Sequence, residues 1–170
     1  MAIKNSLLMT NSKNLPNKKK SAGILLYRFR NNLAEVLLVH PGGPFWAKKD
    51  EGAWSIPKGE FEDDEDPLDA AKREMDEETG IKVSGEFIEL TPVRQKSGKW
   101  VYAWALQKDI DPEFITSNSF EIEWPPKSGK KKSFPEIDKA AWLNMDEAKK
   151  KIIAGQSPLL SELLAKLNAV

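Results

Sequence analysis

The chain has 170 residues, 40% hydrophobic and 31% charged, with Lys+Arg and Asp+Glu each totalling 26. This is the mixture of one globular domain, and its charge balance argues against nonspecific attraction to nucleic acid or acidic membranes. There is no cysteine and one histidine, His40, which excludes disulfides, thiolate chemistry and a His-built zinc site. No Gly-x-Ser-x-Gly elbow occurs either, so acid–base and metal chemistry must rest on Asp and Glu. No apolar run reaches membrane-span length. A reducing compartment is compatible, and a cytoplasmic location is expected.

Residues 1–20, a Lys/Asn/Ser-rich stretch without acids, read as a flexible tail before a domain over 21–170. Ser21–Phe29 and Ala34–His40 are apolar, β-leaning runs, and Asn31-Asn32 between them suits a tight turn. Pro41–Gly52 is a Gly/Pro-rich loop carrying Phe45 and Trp46, and Trp54–Ile56 is a short strand. Pro67–Thr79 reads as a helix with Asp66 as N-cap, Pro67 at the first helical position and Gly80 closing the end. Glu86–Arg94 and Trp100–Lys108 are strands. The second is apolar on both faces and therefore central. Phe120–Trp124 and Lys139–Leu143 are shorter strands, separated by a basic loop over Pro125–Ser133. Met145–Ala154 and Pro158–Leu167 have helical apolar spacing. The order predicts an α/β fold with a mixed β-sheet and helices on both faces.

The stretch from Gly59 to Ile81 carries the chemistry. On a helix, Glu77 lies about 60° to one side of Glu74 and Glu78 about 40° to the other, so three carboxylates share one face. Acids in the last turn oppose the helix dipole, and Glu74 and Glu78 repel each other at i,i+4. A divalent cation would reverse that sign, and clustered carboxylates offer the hard oxygen ligands that Mg²⁺ or Mn²⁺ prefers. Without further context a charge run is a solvated face.

The wider pattern supplies that context. Gly59, Glu65, Arg73, Glu74, Met75, Glu77, Glu78, Gly80 and Ile81 fill the spacing G-x5-E-x7-R-E-U-x-E-E-x-G-U, where U is a bulky apolar residue. A chance match in a chain this long has odds on the order of one in ten million at average residue frequencies. The pattern resembles the signature of the Nudix, or MutT, family. The resemblance implies an α/β/α sandwich with a mixed β-sheet, in which the motif forms a loop–helix–loop. It implies Mg²⁺-dependent, or Mn²⁺-dependent, hydrolysis of a phosphoanhydride bond in a substrate built on a nucleoside diphosphate. Glu74, Glu77 and Glu78 would be metal ligands or base, and the Lys58 backbone carbonyl a further ligand. Arg73 would orient a carboxylate, Glu65 would brace the loop through a salt bridge, and Gly59 and Gly80 would be structural. The alternative is a Nudix-like binding or sensor domain without turnover. Such a domain would be expected to have lost box glutamates, and this chain keeps them all.

Family members often add a glutamate from outside the motif. Glu136, six residues before Trp142, is the candidate here, ahead of Glu121 and Glu123. Pro57-Lys58-Gly59 resembles the corresponding tripeptide of dinucleoside polyphosphate hydrolases. Those substrates and nucleoside triphosphates are therefore favoured, with Lys58 also a candidate phosphate contact. Trp46 is the candidate for stacking a base because of its loop setting, whereas Tyr27 and Trp54 read as core. Lys127, Lys130, Lys131 and Lys132 form a basic run that reads as a solvated loop, and His40 reads as a strand-end structural residue. The expected partner is a small nucleotide-like molecule, not nucleic acid or membrane, and a homodimer is left open.

Overall fold

The structure is a computed structural model and describes residues 19–168. Most of the expected tail lies outside these residues. The sheet already begins at Lys20, one residue inside that tail, and Lys19 accepts a backbone hydrogen bond from Trp100 (3.0 Å).

Strand β1 (Lys20–Arg30) turns through Asn31 and Asn32 into β2 (Leu33–Pro41). Both asparagines have positive φ, 53° and 63°, as a two-residue turn matching strand twist requires. β1 pairs antiparallel with β2 on one side. On that same edge, at Ser21–Gly23, it pairs antiparallel with the short β3 (Lys58–Glu60), and along the other edge it pairs parallel with β6 (Trp100–Gln107). β9 (Ile137–Asn144) joins β2, while β4 (Ile88–Glu89) and β5 (Val93–Arg94) join the far edge of β6. The result is a seven-stranded mixed sheet.

Strand residues alternate between faces, and here each face has its own core. Ala22, Ile24 and Leu26 of β1 pack with Leu37, Leu106 and helix α1 (Pro67–Thr79). Leu25 and Tyr27 pack with Val36, Leu38, Val101, Ala103 and Ala105, under helices α2 (Met145–Lys151) and α3 (Ser157–Asn168). The α/β/α sandwich follows from this partition. Leu25 and Leu26 are both fully buried, so cutting either to alanine removes about 2–5 kcal/mol from a different half of the core.

The ends of α1 have identifiable causes. The Asp66 carboxylate accepts the Asp69 N–H, Pro67 occupies the first turn, and Gly80 (φ 76°) closes the helix through its N–H to the Asp76 carbonyl.

Four boundaries differ from the sequence reading. Glu86–Arg94 is two separate two-residue strands, because Leu90-Thr91-Pro92 intervenes and proline has no ladder donor. The basic loop over Pro125–Ser133 is shorter than expected: β7 (Ser119–Glu123) pairs with β8 (Lys131–Pro135) in a separate hairpin. Phe120 stands opposite Phe134 there, and Glu123 opposite Lys131, and these cross-strand pairs stabilise the ladder. Helix α2 stops at Lys151, because the buried Ile152 leaves the helix to bridge Trp54. Trp54–Ile56 makes only isolated bridges, Trp54 to Ile152 and Ser55 to Val39.

Candidate active site

The second half of α1 runs beside β3, and Gly59 sets how closely they approach. A Cβ on Gly59 would overlap the Glu74 carboxyl group. The missing side chain therefore leaves the cradle in which that carboxylate sits. Glu74 is 8% exposed, and burial raises its pKa against the opposing pull of Arg73. One turn on, Glu78 accepts the Lys58 backbone N–H (3.0 Å). Burial pushes the Glu78 carboxyl up to about 7; the Lys58 N–H and ammonium work against this, and the Glu74 and Glu136 charges reinforce it. Burial, reinforced by repulsion from Lys99, also lowers the Lys58 ammonium. Glu77 points to the solvent side of the same helix face.

Arg73 ties this wall together. Its Nε and Nη2 donate to both oxygens of Glu65 (2.8 and 2.9 Å), and Nη1 donates to Glu74 (2.8 Å) and Glu77 (3.2 Å). A planar guanidinium can hold one carboxylate by two bonds and still reach two others, which an ammonium cannot do with the same geometry. The Glu65 hydrogen bonds raise the Arg73 pKa, and Arg73 in turn holds Glu65 below its ordinary value.

Glu136 faces this wall from β8–β9. Its N–H donates to the Asn118 carbonyl (2.8 Å), and its carbonyl accepts the Gly42 N–H (2.9 Å). A cavity of about 220 Å³ brings together Lys58, Glu78, Glu136 and Trp46. His40, 2% exposed, holds the Trp46 loop: its ring bridges the Asp138 carboxylate (2.7 Å) and the Lys49 carbonyl (2.6 Å). Tyr27 and Trp54 are core residues, and Phe45 packs edge-on against Trp124. Glu121 and Glu123 lie in the β7–β8 hairpin, as do Lys131 and Lys132, and Lys127 and Lys130 lie in its turn. None of these six lines the cavity.

Two cavity residues were invisible to sequence reasoning. Gln156 is fully buried and bonds to Ile56, Ser55 and Gln95, and Gln95 lines the same space. Neither belongs to a motif or an amphipathic stripe, so no sequence signal marked them.

Among the described residues, no three carboxylate or imidazole groups stand close enough, as the side chains lie, to close a metal site. The donor chemistry nevertheless fits a hard divalent cation. Glu74 sits in the cradle beside Gly59; besides burial, the Glu77 and Glu136 charges raise the Glu74 pKa, and the Glu74 and Glu136 charges raise that of Glu78, as crowded carboxylates do.

The NUDIX domain family model matches residues 17–163. The chain belongs to the Nudix family. Among solved structures, the Caenorhabditis elegans Ap4A hydrolase in a binary complex shares the Nudix fold with a TM-score of 0.62 at 23% identity. The match covers 89% of this chain and 99% of that one. An RNA pyrophosphohydrolase of Xanthomonas campestris is 41% identical over 54 residues, 31% of this chain and 26% of that protein. A Myxococcus xanthus octanoyltransferase is 29% identical over 113 residues, 65% of this chain and 27% of that protein. The Nudix chain thus corresponds to about a quarter of the length of these two curated relatives. No helix among the described residues is long and apolar enough to cross a membrane.

Proposed function

We propose that this Nudix protein is a pyrophosphohydrolase that cleaves a phosphoanhydride bond in a nucleoside diphosphate-linked substrate with Mg²⁺, or Mn²⁺, as cofactor. Dinucleoside polyphosphates and nucleoside triphosphates are the favoured substrates. The observation that carries this reading is the meeting of Glu78, Lys58 and Glu136 at one cavity, beside a Glu74 carboxylate cradled by Gly59 and braced by Arg73. The names of an Ap4A hydrolase and an RNA pyrophosphohydrolase among its relatives support it.

Glu74, Glu78 and the Lys58 carbonyl would hold the cation, and Glu77, on the same helix face, would complete the set from the solvent side. The cation, when bound, neutralises phosphate oxygens and acidifies water. Arg73 acts as a positioning residue: fixed on Glu65, it sets the direction of Glu74 and Glu77. The Lys58 ammonium meets a phosphate oxygen at the cavity mouth. Trp46, which lines the cavity, would stack the base. Glu136 stands across the cavity from the α1 wall and takes the proton of the attacking water. The new bond is water oxygen to phosphorus, the broken bond is phosphorus to bridging oxygen, and the departing phosphate carries the electron pair.

The test is a panel of nucleotides incubated with Mg²⁺ in ¹⁸O-labelled water, with products resolved by mass. The label is expected on a phosphate product, and excess chelator is expected to stop turnover. Nucleotide binding without any product would favour the sensor alternative. Label in a ribose, or full activity in chelator, would exclude the mechanism.

A further inference from the structure

The neutral side of the cavity has a hydrogen-bond polarity that one backbone group dictates. The Ile56 N–H can only donate, and it meets Gln156 Oε1 at 3.1 Å. With its oxygen fixed there, the Gln156 carboxamide turns its NH₂ group the other way. Nε2 then donates to Ser55 Oγ (3.0 Å) and to Gln95 Oε1 (2.8 Å). Both Gln156 N–H groups are used, and the Gln95 oxygen is occupied as an acceptor. The Gln95 NH₂ remains, and it makes no hydrogen bond among the described residues. Gln156 is fully buried, so reversing the relay would face the Ile56 N–H with another donor and leave it without an acceptor.

Gln95 is also held in place. Its N–H donates to the Lys99 carbonyl (2.9 Å), and its own carbonyl accepts the Gly98 N–H (2.8 Å). Gly155 packs so closely that an added Cβ would lie 2.8 Å from Gln95 Cα. Around it the cavity offers apolar surface from Val39, Ile137 and Ile153, and the indole of Trp46. Apolar surface beside an oriented NH₂ group suits a heteroaromatic ring with an acceptor on its edge.

We propose that Gln95 is a specificity-determining residue, donating to a ring nitrogen or carbonyl of the nucleobase, with Gln156 as the positioning residue that fixes its polarity. This rests on the pyrophosphohydrolase reading for placing the phosphates at the Glu78 end. A site built to donate rejects a base that lacks the matching acceptor more strongly than shape alone would.

The test measures binding of the four ribonucleoside diphosphates to the full chain with Mg²⁺, against pyrophosphate alone. It then uses analogues of the tightest binder, each lacking one ring nitrogen or carbonyl. One deletion is expected to weaken binding by about 10-fold or more, as loss of a partner to a site's polar group does. Gln95→Glu keeps the oxygen that accepts from Gln156 and replaces the free donors by an acceptor. In this variant the same deletion should cost less than about 2-fold, because no donor remains to discriminate. Gln95→Met, which removes the donors without adding charge, should show the same loss of discrimination if Gln95→Glu folds poorly. The assignment is overturned if no single deletion matters, if the penalty persists in both variants, or if no nucleoside diphosphate binds better than pyrophosphate. Turnover without this discrimination sinks only the Gln95 assignment. Discrimination without phosphate release sinks only the hydrolase reading.

Discussion

The two walls of the cleft are built on opposite physical terms. The α1 wall concentrates charge: Glu74, Glu77 and Glu78 share one helix face at the end with no basic residue in its last turn. The wall stays ordered because Arg73, anchored by two bonds to Glu65, also holds Glu74 and Glu77. The facing wall is mostly neutral. Its order comes from carboxamides, backbone donors and apolar contacts around Gln95, Gln156 and Ile153, and Glu136 is its one acid. A wall of unneutralised carboxylates gains stability from a cation, whereas a neutral wall gains from an organic group that fits its shape and its donors. On the proposed reading the cleft is polarised along its length, with phosphate chemistry at one end and recognition at the other.

Changes to the charged wall should act on rate. Glu78→Gln retains an oxygen for the Lys58 N–H but removes the charge, and kcat is expected to fall about 10²-fold or more. Steady-state kinetics across a Mg²⁺ titration checks this, and near-normal kcat with normal metal dependence would place the site elsewhere. Glu136→Gln tests the acid on the neutral wall. It should lower kcat by about 10-fold or more with KM nearly constant, since a base acts chiefly in the transition state. An unaffected variant would return the base to the α1 wall. Trp46→Ala should do the reverse, raising KM by about 3- to 10-fold with little change in kcat, as the loss of one stacking contact of about 0.5–1.5 kcal/mol predicts.

A measurement of stability separates the walls in a different way. At saturating Mg²⁺, about 100-fold above the dissociation constant, linkage adds about 2.7 kcal/mol, or about 5–10 °C in Tm for a domain of this size. Its pH dependence follows from Glu78, raised from 4.5 to about 7. Between those values the folded state holds a proton that the unfolded carboxyl has lost. This stabilising contribution is present at low pH and is lost as pH rises through about 7. The metal-free protein should therefore lose Glu78-linked stability between pH 6 and pH 8. The Mg²⁺-induced rise in Tm should be larger at pH 8, where no proton has to be displaced. Calorimetry at both pH values decides it, and an equal metal effect at both would separate Glu78 from the cation.

The charged wall was legible in the sequence because its geometry is local. Residues three and four apart on one helix must share a face, and Asp66, Pro67 and Gly80 fix where that helix starts and stops. The hairpin at Asn31-Asn32 and the place of β6 inside the sheet, though next to its edge rather than at its centre, were legible for the same reason, since turn chemistry and strand period act between neighbours in the chain. Gln95 and Gln156 were not. They are 61 residues apart and meet only after β5, β6 and the segment after α2 have packed together. Nothing about a glutamine in a loop distinguishes a relay member from a solvated side chain. The short β7–β8 hairpin was half-hidden because its second strand opens with lysines, which read as loop until Glu123 and Ile122 stand opposite them.

The alternation of β1 has one more consequence. Ala22, Ile24 and Leu26 belong to the layer that seats α1, and Leu25 and Tyr27 to the layer beneath the neutral wall. Consecutive residues of one strand therefore serve separate packing environments, and substitutions in the two layers combine additively in free energy where the sites lie more than about 7–10 Å apart with no shared partners. If the Gln95 side sets specificity as proposed, drift in the layer under Gln156 can reshape what the cleft recognises without disturbing the helix that carries Glu74 and Glu78. In evolutionary terms the sheet is a partition, so a lineage built on this scaffold can change its choice of substrate while its bond-breaking apparatus stays fixed.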